Sequence, residues 1–349
     1  MVSQMLAQVQ RNKGDTPTLS KEKIDRSTPA SNQVLVKISH VAQNPTDVQT
    51  FDGNAFGDGT VLGCDFVGTV EELGSEVTRL KKGDVVAGLI WGGEIKGLGA
   101  YSEYTVADER ISFKVPKSIS SAEASTIPLA AATAWLALFS KDCLGIERKN
   151  TKGTSLTSVL VWGGSSSVGL YTIQLANLMG LQVITTCSPR NFELVESQGA
   201  HHVFDYSDKD IVAKINEVEP NLKYVFDTIG NETSSGLASQ VITKEGGHLC
   251  TVRPGKANTS ECTKQTKITD VLVWTAFLKD HSYGDFHWPA NKDDHELASE
   301  LFENLPEWIE AGKVKPNKVG LKKGLDALEE GFQEYRDGKI NAYKIVYEL

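Results

Sequence analysis

At 349 residues, 40% hydrophobic and 23% charged, the chain has the composition of a soluble globular protein and is too long for one ordinary core, so two domains are expected. Its formal net charge of −9 argues against a nucleic acid or an anionic membrane surface as partner, since both favour basic faces. No basic start followed by an apolar run opens the chain, so no secretory leader is expected and the cytosol is the expected compartment.

Residues 1–125 read as β-rich. "QVLVKISHVAQ" (33–43) alternates like a half-buried strand, and "VGTVEELG" (67–74) and "GDVVAGLI" (83–90) are short runs bounded by turn residues. "TIPLAAATAWLALF" (126–139) is apolar throughout but too short to span a bilayer, so a buried helix is expected there. From 126 the rhythm becomes strand–helix, with strands expected at 158–162, 182–186, 202–204, 223–227 and 246–251. Short apolar strands separated by amphipathic helices imply a parallel sheet covered on both faces. A helical stretch (293–311) and "GLDALEEGFQEYRDGK" (324–339) lead to a last strand, "YKIVYEL". Five scattered cysteines (64, 143, 187, 250 and 262) form neither a disulfide framework nor a zinc cluster, and buried thiols are expected.

"VLVWGGSSSVGLYTIQLA" (159–176) is a strand, a glycine turn and an amphipathic helix, the opening of a dinucleotide-binding unit. Gly163 and Gly164 suit the tight turn, Gly169 suits close packing of helix on sheet, and Gly180 suits the position after the helix. Ser165, Ser166 and Ser167 stand where glycine or alanine is usual. Ser166 fits if its φ is negative, because helix N–H groups still face the phosphates, and its hydroxyl would add a donor. After the next strand, NAD binders place a carboxylate on the ribose. Here Ser188 takes that place, followed by Arg190, a pair suited to a 2′-phosphate. Tyr206 is positioned to close the same pocket, so NADPH is favoured over NADH.

Together "NPTD" (44–47), "VLGCDFVGTVEELGSEVTRLKKGDVV" (61–86), "GAYSEYTV" (99–106), "IPLAAATAW" (127–135) and the glycine turn resemble the medium-chain dehydrogenase/reductase family. The resemblance covers nearly the whole chain. It implies an α/β protein with a GroES-like β-barrel domain (1–125 and 285–349) around a Rossmann doubly wound parallel sheet domain (126–284). Zinc members take ligands from an early cysteine, a G-H-E motif and a later cysteine or carboxylate. This chain has Asn44 at the first position and Gly63-Cys64-Asp65 at the second, and no four-cysteine lobe, so no metal site is expected.

The nearest likeness is to zinc-free ToxD-like fungal oxidoreductases, including trans-acting enoyl reductases of polyketide synthases. It rests on "LVWGGSSSVG", "TTCSPRNFELVESQGAHHVFDY", "FHWPA" (286–290) and "GKINAYKIVYEL". It implies cofactor contacts from Pro45, Thr46, Asp47, Val48, Thr133, the turn Gly163, Gly164, Ser165, Ser166, Ser167 and Val168, and from Ser188, Pro189, Arg190, Asn191 and Tyr206. Asn341 and Lys344 match a C-terminal stretch that reaches over the cofactor. The group often reads N-P-T-D-W-K. Here the lysine is Gln49, which can donate a hydrogen bond to a carbonyl but cannot deliver a proton.

The expected activity is NADPH-dependent, zinc-independent reduction of an activated C=C bond in an enoyl thioester or α,β-unsaturated carbonyl. Thr46, Gln49 and Thr133 are the candidate catalytic donors toward the developing enolate oxygen. Asn44, Gln49, Trp135, Phe277 and Trp288 are candidate substrate contacts, although for each aromatic a plain core position is the stronger reading. A carrier-bound thioester and a polyketide synthase are the expected partners of a monomer or homodimer. Two alternatives remain: a quinone or aldehyde reductase of the same family, and a silent NADPH-binding regulatory protein.

Overall fold

The computed structural model describes residues 3–14, 16–148, 157–283 and 286–349. Contacts divide the chain into Met1–Leu129, Trp274–His295 and Ser299–Leu349 as one unit, and Ala130–Val273 with Glu296–Ala298 as the other. The first boundary falls inside a helix rather than at 125/126. The expected second boundary at 284/285 lies outside the described residues, and the chain rejoins the first unit at Trp274.

The first unit opens with the antiparallel hairpin β1 (Gln4–Lys13) and β2 (Thr16–Asp25). There follow β3 (Gln33–Ala42), α1 (Pro45–Asp52), β4 (Asp65–Leu73), β5 (Val85–Leu89), β6 (Tyr104–Asp108), β7 (Ser112–Lys114), α2 (Ser121–Ser125) and α3 (Pro128–Phe139). In β3, Val34, Leu35 and Val36 are buried in succession, as are Val41 and Ala42, so both faces are covered there rather than one as the alternation at 33–43 suggests, and only Lys37 is exposed. α3 is apolar on all sides and buried, as expected of the 126–139 stretch. No helix among the described residues is long and apolar enough to cross a membrane.

The second unit contains β8 (Ser158–Trp162), α4 (Ser167–Leu178), β9 (Gln182–Cys187), α5 (Phe192–Ser197), β10 (His202–Asp205), α6 (Ile211–Val218), β11 (Tyr224–Asp227), α7 (Ser234–Ser239), β12 (Gly247–Thr251) and β13 (Thr266–Asp270). Its sheet is parallel throughout, in the order β10-β9-β8-β11-β12-β13. The five strands read from the sequence lie within one residue of their observed bounds. The sixth, β13, was not expected: "TKITD" buries fully only Thr269, so its apolar signal is weak. In this order the topology reverses at β8 and β11, and ligands of such sheets bind beyond the strand ends there.

The chain then returns to the first unit through β14 (His281–Tyr283), β15 (Phe286–Trp288), α8 (Lys292–Glu310), β16 (Lys318–Lys323), α9 (Leu328–Arg336) and β17 (Tyr343–Glu348). The pattern at 324–339 divides into a 3₁₀ turn at Leu325–Ala327 and α9, because Gly324 at φ +70° marks the entry. β17 pairs antiparallel with β3 and completes a seven-stranded sheet, β16-β17-β3-β4-β5-β7, with β6 also on β3. Its core includes Val36, Phe66, Val86, Tyr101, Phe332 and Tyr347. This is the α/β architecture expected: one unit built on an antiparallel-rich β-sheet and one on a parallel sheet with alternating helices.

Candidate active site

In the second unit, β8 ends in a turn that only glycine can make. Gly163 has φ +88°. A Cβ on Gly164 would lie 2.0 Å from Thr185 Oγ1, and one on Gly169 would lie 2.4 Å from the Gly163 carbonyl oxygen. Ser166 has φ −67° and acts as the N-cap of α4. Its hydroxyl accepts from Gly169 N–H at 2.9 Å and contacts Thr228 Oγ1 at 2.8 Å. Thr228 Oγ1 in turn lies 2.9 Å from both the Trp162 and Gly163 carbonyls. The Ser166 hydroxyl is therefore committed to capping and does not add a phosphate donor, which corrects the expectation. The N–H groups of Ser165 and Val168 donate to no acceptor among the described residues, as an anion-binding helix start requires. Ser165, Ser167 and Val168 are half-buried.

Ser188 stands at the end of β9 and begins the turn Pro189–Asn191. Pro189 and Arg190 are exposed, and Asn191 is buried. β10 runs beside β9 with Asp205 paired to Cys187, and Tyr206 N–H donates to the Cys187 carbonyl at 3.4 Å. Ser188 and Tyr206 thus leave neighbouring strand ends. Tyr206 is 53% exposed, so it is not a core aromatic.

In the first unit, α1 starts at Pro45, with the Asp47 carboxylate accepting the Asn44 N–H at 2.8 Å. Asp47 also accepts from the Tyr101 hydroxyl at 3.0 Å. Burial raises its pKa from 3.8 to about 6, with the nearby Asp65 charge adding to the rise. Burial, and then the Asp47 carboxylate, push the Cys64 thiol well above its usual range. Asp65 is fully buried. Its carboxylate accepts from Leu129 N–H at 2.7 Å, from Asn44 Nδ2 at 2.9 Å and from Lys344 Nζ at 2.5 Å. Lys344 Nζ also donates to the Thr126 carbonyl at 3.3 Å.

These contacts correct several expectations. Lys344 is 4% exposed and bound to Asp65, so it does not reach over a cofactor; Asn341 of the same stretch is exposed. The Asp47 and Val48 side chains are buried, Val48 in the hydrophobic core, so neither side chain is a cofactor contact. Asn44 is turned inward onto Asp65 and does not face a substrate. Trp135 is fully buried in the second unit, with Nε1 donating to the Leu297 carbonyl at 2.9 Å and Arg148 stacked on its ring; it is core, not substrate wall. Pro45 and Gln49 are exposed and Thr46 is half-buried. Gln49 Nε2 donates to the Tyr335 hydroxyl on α9 at 2.7 Å. Thr133 is buried in α3, and Phe277 and Trp288 are half-buried.

Sequence reading missed the Asp65–Lys344 pair, Thr228, and the tryptophans Trp91 and Trp274. A pair 279 residues apart leaves no spacing signal to read.

Two family models match the chain: the alcohol dehydrogenase GroES-like domain over residues 30–117 and the zinc-binding dehydrogenase domain over 167–273. A trans-enoyl reductase of Alternaria alternata is 33% identical over 94% of this chain and 95% of its own. One of Fusarium heterosporum is 34% identical over 92% of each. A solved alcohol dehydrogenase superfamily protein from Novosphingobium aromaticivorans has a TM-score of 0.78 at 24% identity over 99% of both chains, a likeness of fold.

Proposed function

This chain belongs to the medium-chain dehydrogenase/reductase family, and on that premise we propose that it is an NADPH-dependent, zinc-independent reductase of enoyl thioesters or α,β-unsaturated carbonyls. A polyketide synthase that presents a carrier-bound thioester is the partner this reading implies. Its support is the name trans-enoyl reductase borne by relatives that match over more than nine-tenths of the chain.

The observation that carries the reading is the buried Asn44–Asp65–Lys344 cluster. At the positions where zinc members hold metal, this chain has an amide, a thiol raised by burial, and a carboxylate already neutralised by an ammonium. Tetrahedral zinc needs at least three deprotonated or neutral N, S or O donors, so these residues do not fit it. Among the described residues no group of three or more His, Cys, Asp or Glu is arranged for a metal. Since these residues do not fit zinc, the proposed reaction is one that needs no metal to polarise an alcohol oxygen, the reduction of an activated double bond.

The residues do fit a nicotinamide dinucleotide. The turn Gly163–Val168 would hold the pyrophosphate at the start of α4, and Ser188, Arg190 and Tyr206 would hold the adenosine 2′-phosphate. When bound, the nicotinamide supplies a hydride to the β-carbon of the substrate. Negative charge then develops on the carbonyl oxygen. Thr46, Gln49 and Thr133 are the proposed donors toward it, and water supplies the α-carbon proton.

A panel of enoyl thioesters, enones, quinones and aldehydes, assayed by NADPH oxidation, tests the proposal. Turnover of enoyl thioesters or enones above the rest is expected. Turnover of quinones or aldehydes alone would replace it with the rival reductase, and no turnover of any would favour a silent binding protein.

A further inference from the structure

Helix α9 braces helix α1, and one of its contacts falls on a side chain that the proposed reaction uses. Gly331, Phe332, Tyr335 and Arg336 recur on α9 at the spacing that puts them on one side of a helix. Gly331 stands where no side chain fits: a Cβ there would lie 1.9 Å from the Tyr347 hydroxyl and 2.7 Å from Gln43 Oε1. Gln43, two residues before α1, donates from Nε2 to the Gly331 carbonyl at 2.9 Å. The Phe332 ring meets Phe51 edge-on with centroids 5.4 Å apart, and lies 6.2 Å from Tyr101. Arg336 Nε and Nη2 donate to the Asp52 carboxylate at 3.0 and 2.5 Å. Tyr335 comes between these anchors in sequence. Its ring is half-buried and packed against the core of the first unit, and its hydroxyl accepts from Gln49 Nε2 at 2.7 Å.

The contacts through Gln43, Phe51 and Asp52 hold α1 as a body, whereas the Tyr335 bond acts on the head group of Gln49. That distinction matters for a donor. A preorganised hydrogen bond lowers a barrier because it is aimed before charge develops. Thr46 and Thr133 are short and stiff at χ1, so the helices that carry them set their direction. Gln49 is exposed, and a glutamine on a surface has several rotatable bonds and much rotamer freedom to lose. A hydrogen bond between two mobile surface groups would not restrain it. Here one partner is fixed, because the Tyr335 ring is packed and its neighbours on α9 are anchored. An amide nitrogen carries two hydrogens, so a bond to Tyr335 aims the group without exhausting its capacity to donate to a carbonyl oxygen.

We propose that Tyr335 is the positioning residue for Gln49, its hydroxyl holding the carboxamide in the orientation that donates to the developing enolate oxygen. The inference rests on the enoyl-thioester reading above and on the role of Gln49 in it.

The test follows reduction of crotonyl N-acetylcysteamine thioester by NADPH oxidation on the full chain. Tyr335→Phe keeps the ring and removes the hydroxyl. It should lower kcat about fivefold to tenfold, the worth of one hydrogen bond, with KM for the thioester and NADPH affinity by fluorescence titration unchanged. Gln49→Ala should lower kcat by at least as much, and adding Tyr335→Phe to it should have no further effect, because the hydroxyl then has no amide to aim. Arg336→Gln loosens the brace on α1 but leaves the Tyr335 bond, so it should keep the wild-type kcat. Three results would each overturn the inference and leave the enoyl-thioester reading standing: unaltered kcat in Tyr335→Phe, the same loss when it is added to Gln49→Ala, or a matching loss in Arg336→Gln. Failure of the wild type to reduce the thioester overturns both.

Discussion

Lys344→Met separates two roles for one residue. A C-terminal lysine over the cofactor would matter for NADPH affinity, whereas a lysine bound to Asp65 matters for folding. Asp65 is fully buried and Lys344 is 4% exposed. Methionine keeps most of the aliphatic stem but removes the ammonium. The carboxylate is then left with two neutral donors, Leu129 N–H and Asn44 Nδ2, in a fully buried position. Removing one partner of a buried ion pair costs about 3–5 kcal/mol, mostly as the stranded charge. Asp65→Asn strands the ammonium in the same way, with the Thr126 carbonyl as its remaining acceptor. The double variant strands neither and should recover most of the loss, giving a strong coupling energy. Urea unfolding of the cofactor-free protein measures these differences, and fluorescence titration measures NADPH affinity, which should stay unchanged. A loss below about 1 kcal/mol in Lys344→Met, together with weakened NADPH binding, would refute the structural role.

Other expectations are as direct. The wild type should bind NADPH at least about tenfold tighter than NADH, one charge-assisted bond or more, and Ser188→Asp with Arg190→Ala should reverse the order in a fluorescence titration. Gly164→Ala should cost about 1–3 kcal/mol by overpacking, because its Cβ meets Thr185 Oγ1 at 2.0 Å; Thr185→Ala in the same chain should restore part of it in urea unfolding. Asp47, raised by burial from 3.8 to about 6, holds a proton in the folded chain that the unfolded chain has released, so its contribution to stability falls as pH rises through that window. At about 1.4 kcal/mol per pH unit this is ~3 kcal/mol, and Asp47→Asn should remove it, so the variant gains on the wild type between acid and neutral pH in parallel unfolding curves. Gln49→Ala should lower turnover of an enoyl thioester about tenfold to a hundredfold with NADPH affinity unchanged; unaltered kinetics would leave Gln49 a structural role, as in its bond to Tyr335.

The parts of the fold that local chemistry determines were legible. The parallel strands stood out because strands buried on both faces need continuous apolar runs, and β8 is buried at every position. The glycine turn was legible because Gly163, Gly164 and Gly169 each meet a steric demand that no other residue meets. β13 escaped because four of its five residues are not fully buried. The errors at the site share one cause. Lys344, Asn44, Asp47 and Trp135 are of types that serve active sites, and only burial and partner tell a ligand-facing side chain from one turned inward. Those partners lie far off in sequence: Asp65 for Lys344, Leu297 for Trp135. Ser166 was misread more subtly. The backbone reading held at φ −67°, but the hydroxyl went to the helix cap, the use that serine most often finds at that position.

The same inward turning bears on the proton that must reach the substrate's α-carbon. Asp47, with a pKa of about 6, has the value of a general acid at neutral pH. Its carboxylate is nonetheless buried and already accepts from Asn44 N–H and the Tyr101 hydroxyl, so it has no path to a bound substrate. Burial keeps the Cys64 and Tyr101 protons too tightly held to serve, both groups being raised well above their usual ranges. Asp65 and Lys344 satisfy one another. Of the exposed polar groups on α1, Gln49 carries an amide that does not titrate, and the Asp52 carboxylate is held by Arg336. The described groups around α1 thus orient and neutralise without offering a mobile proton, which is why water is the donor this chemistry favours.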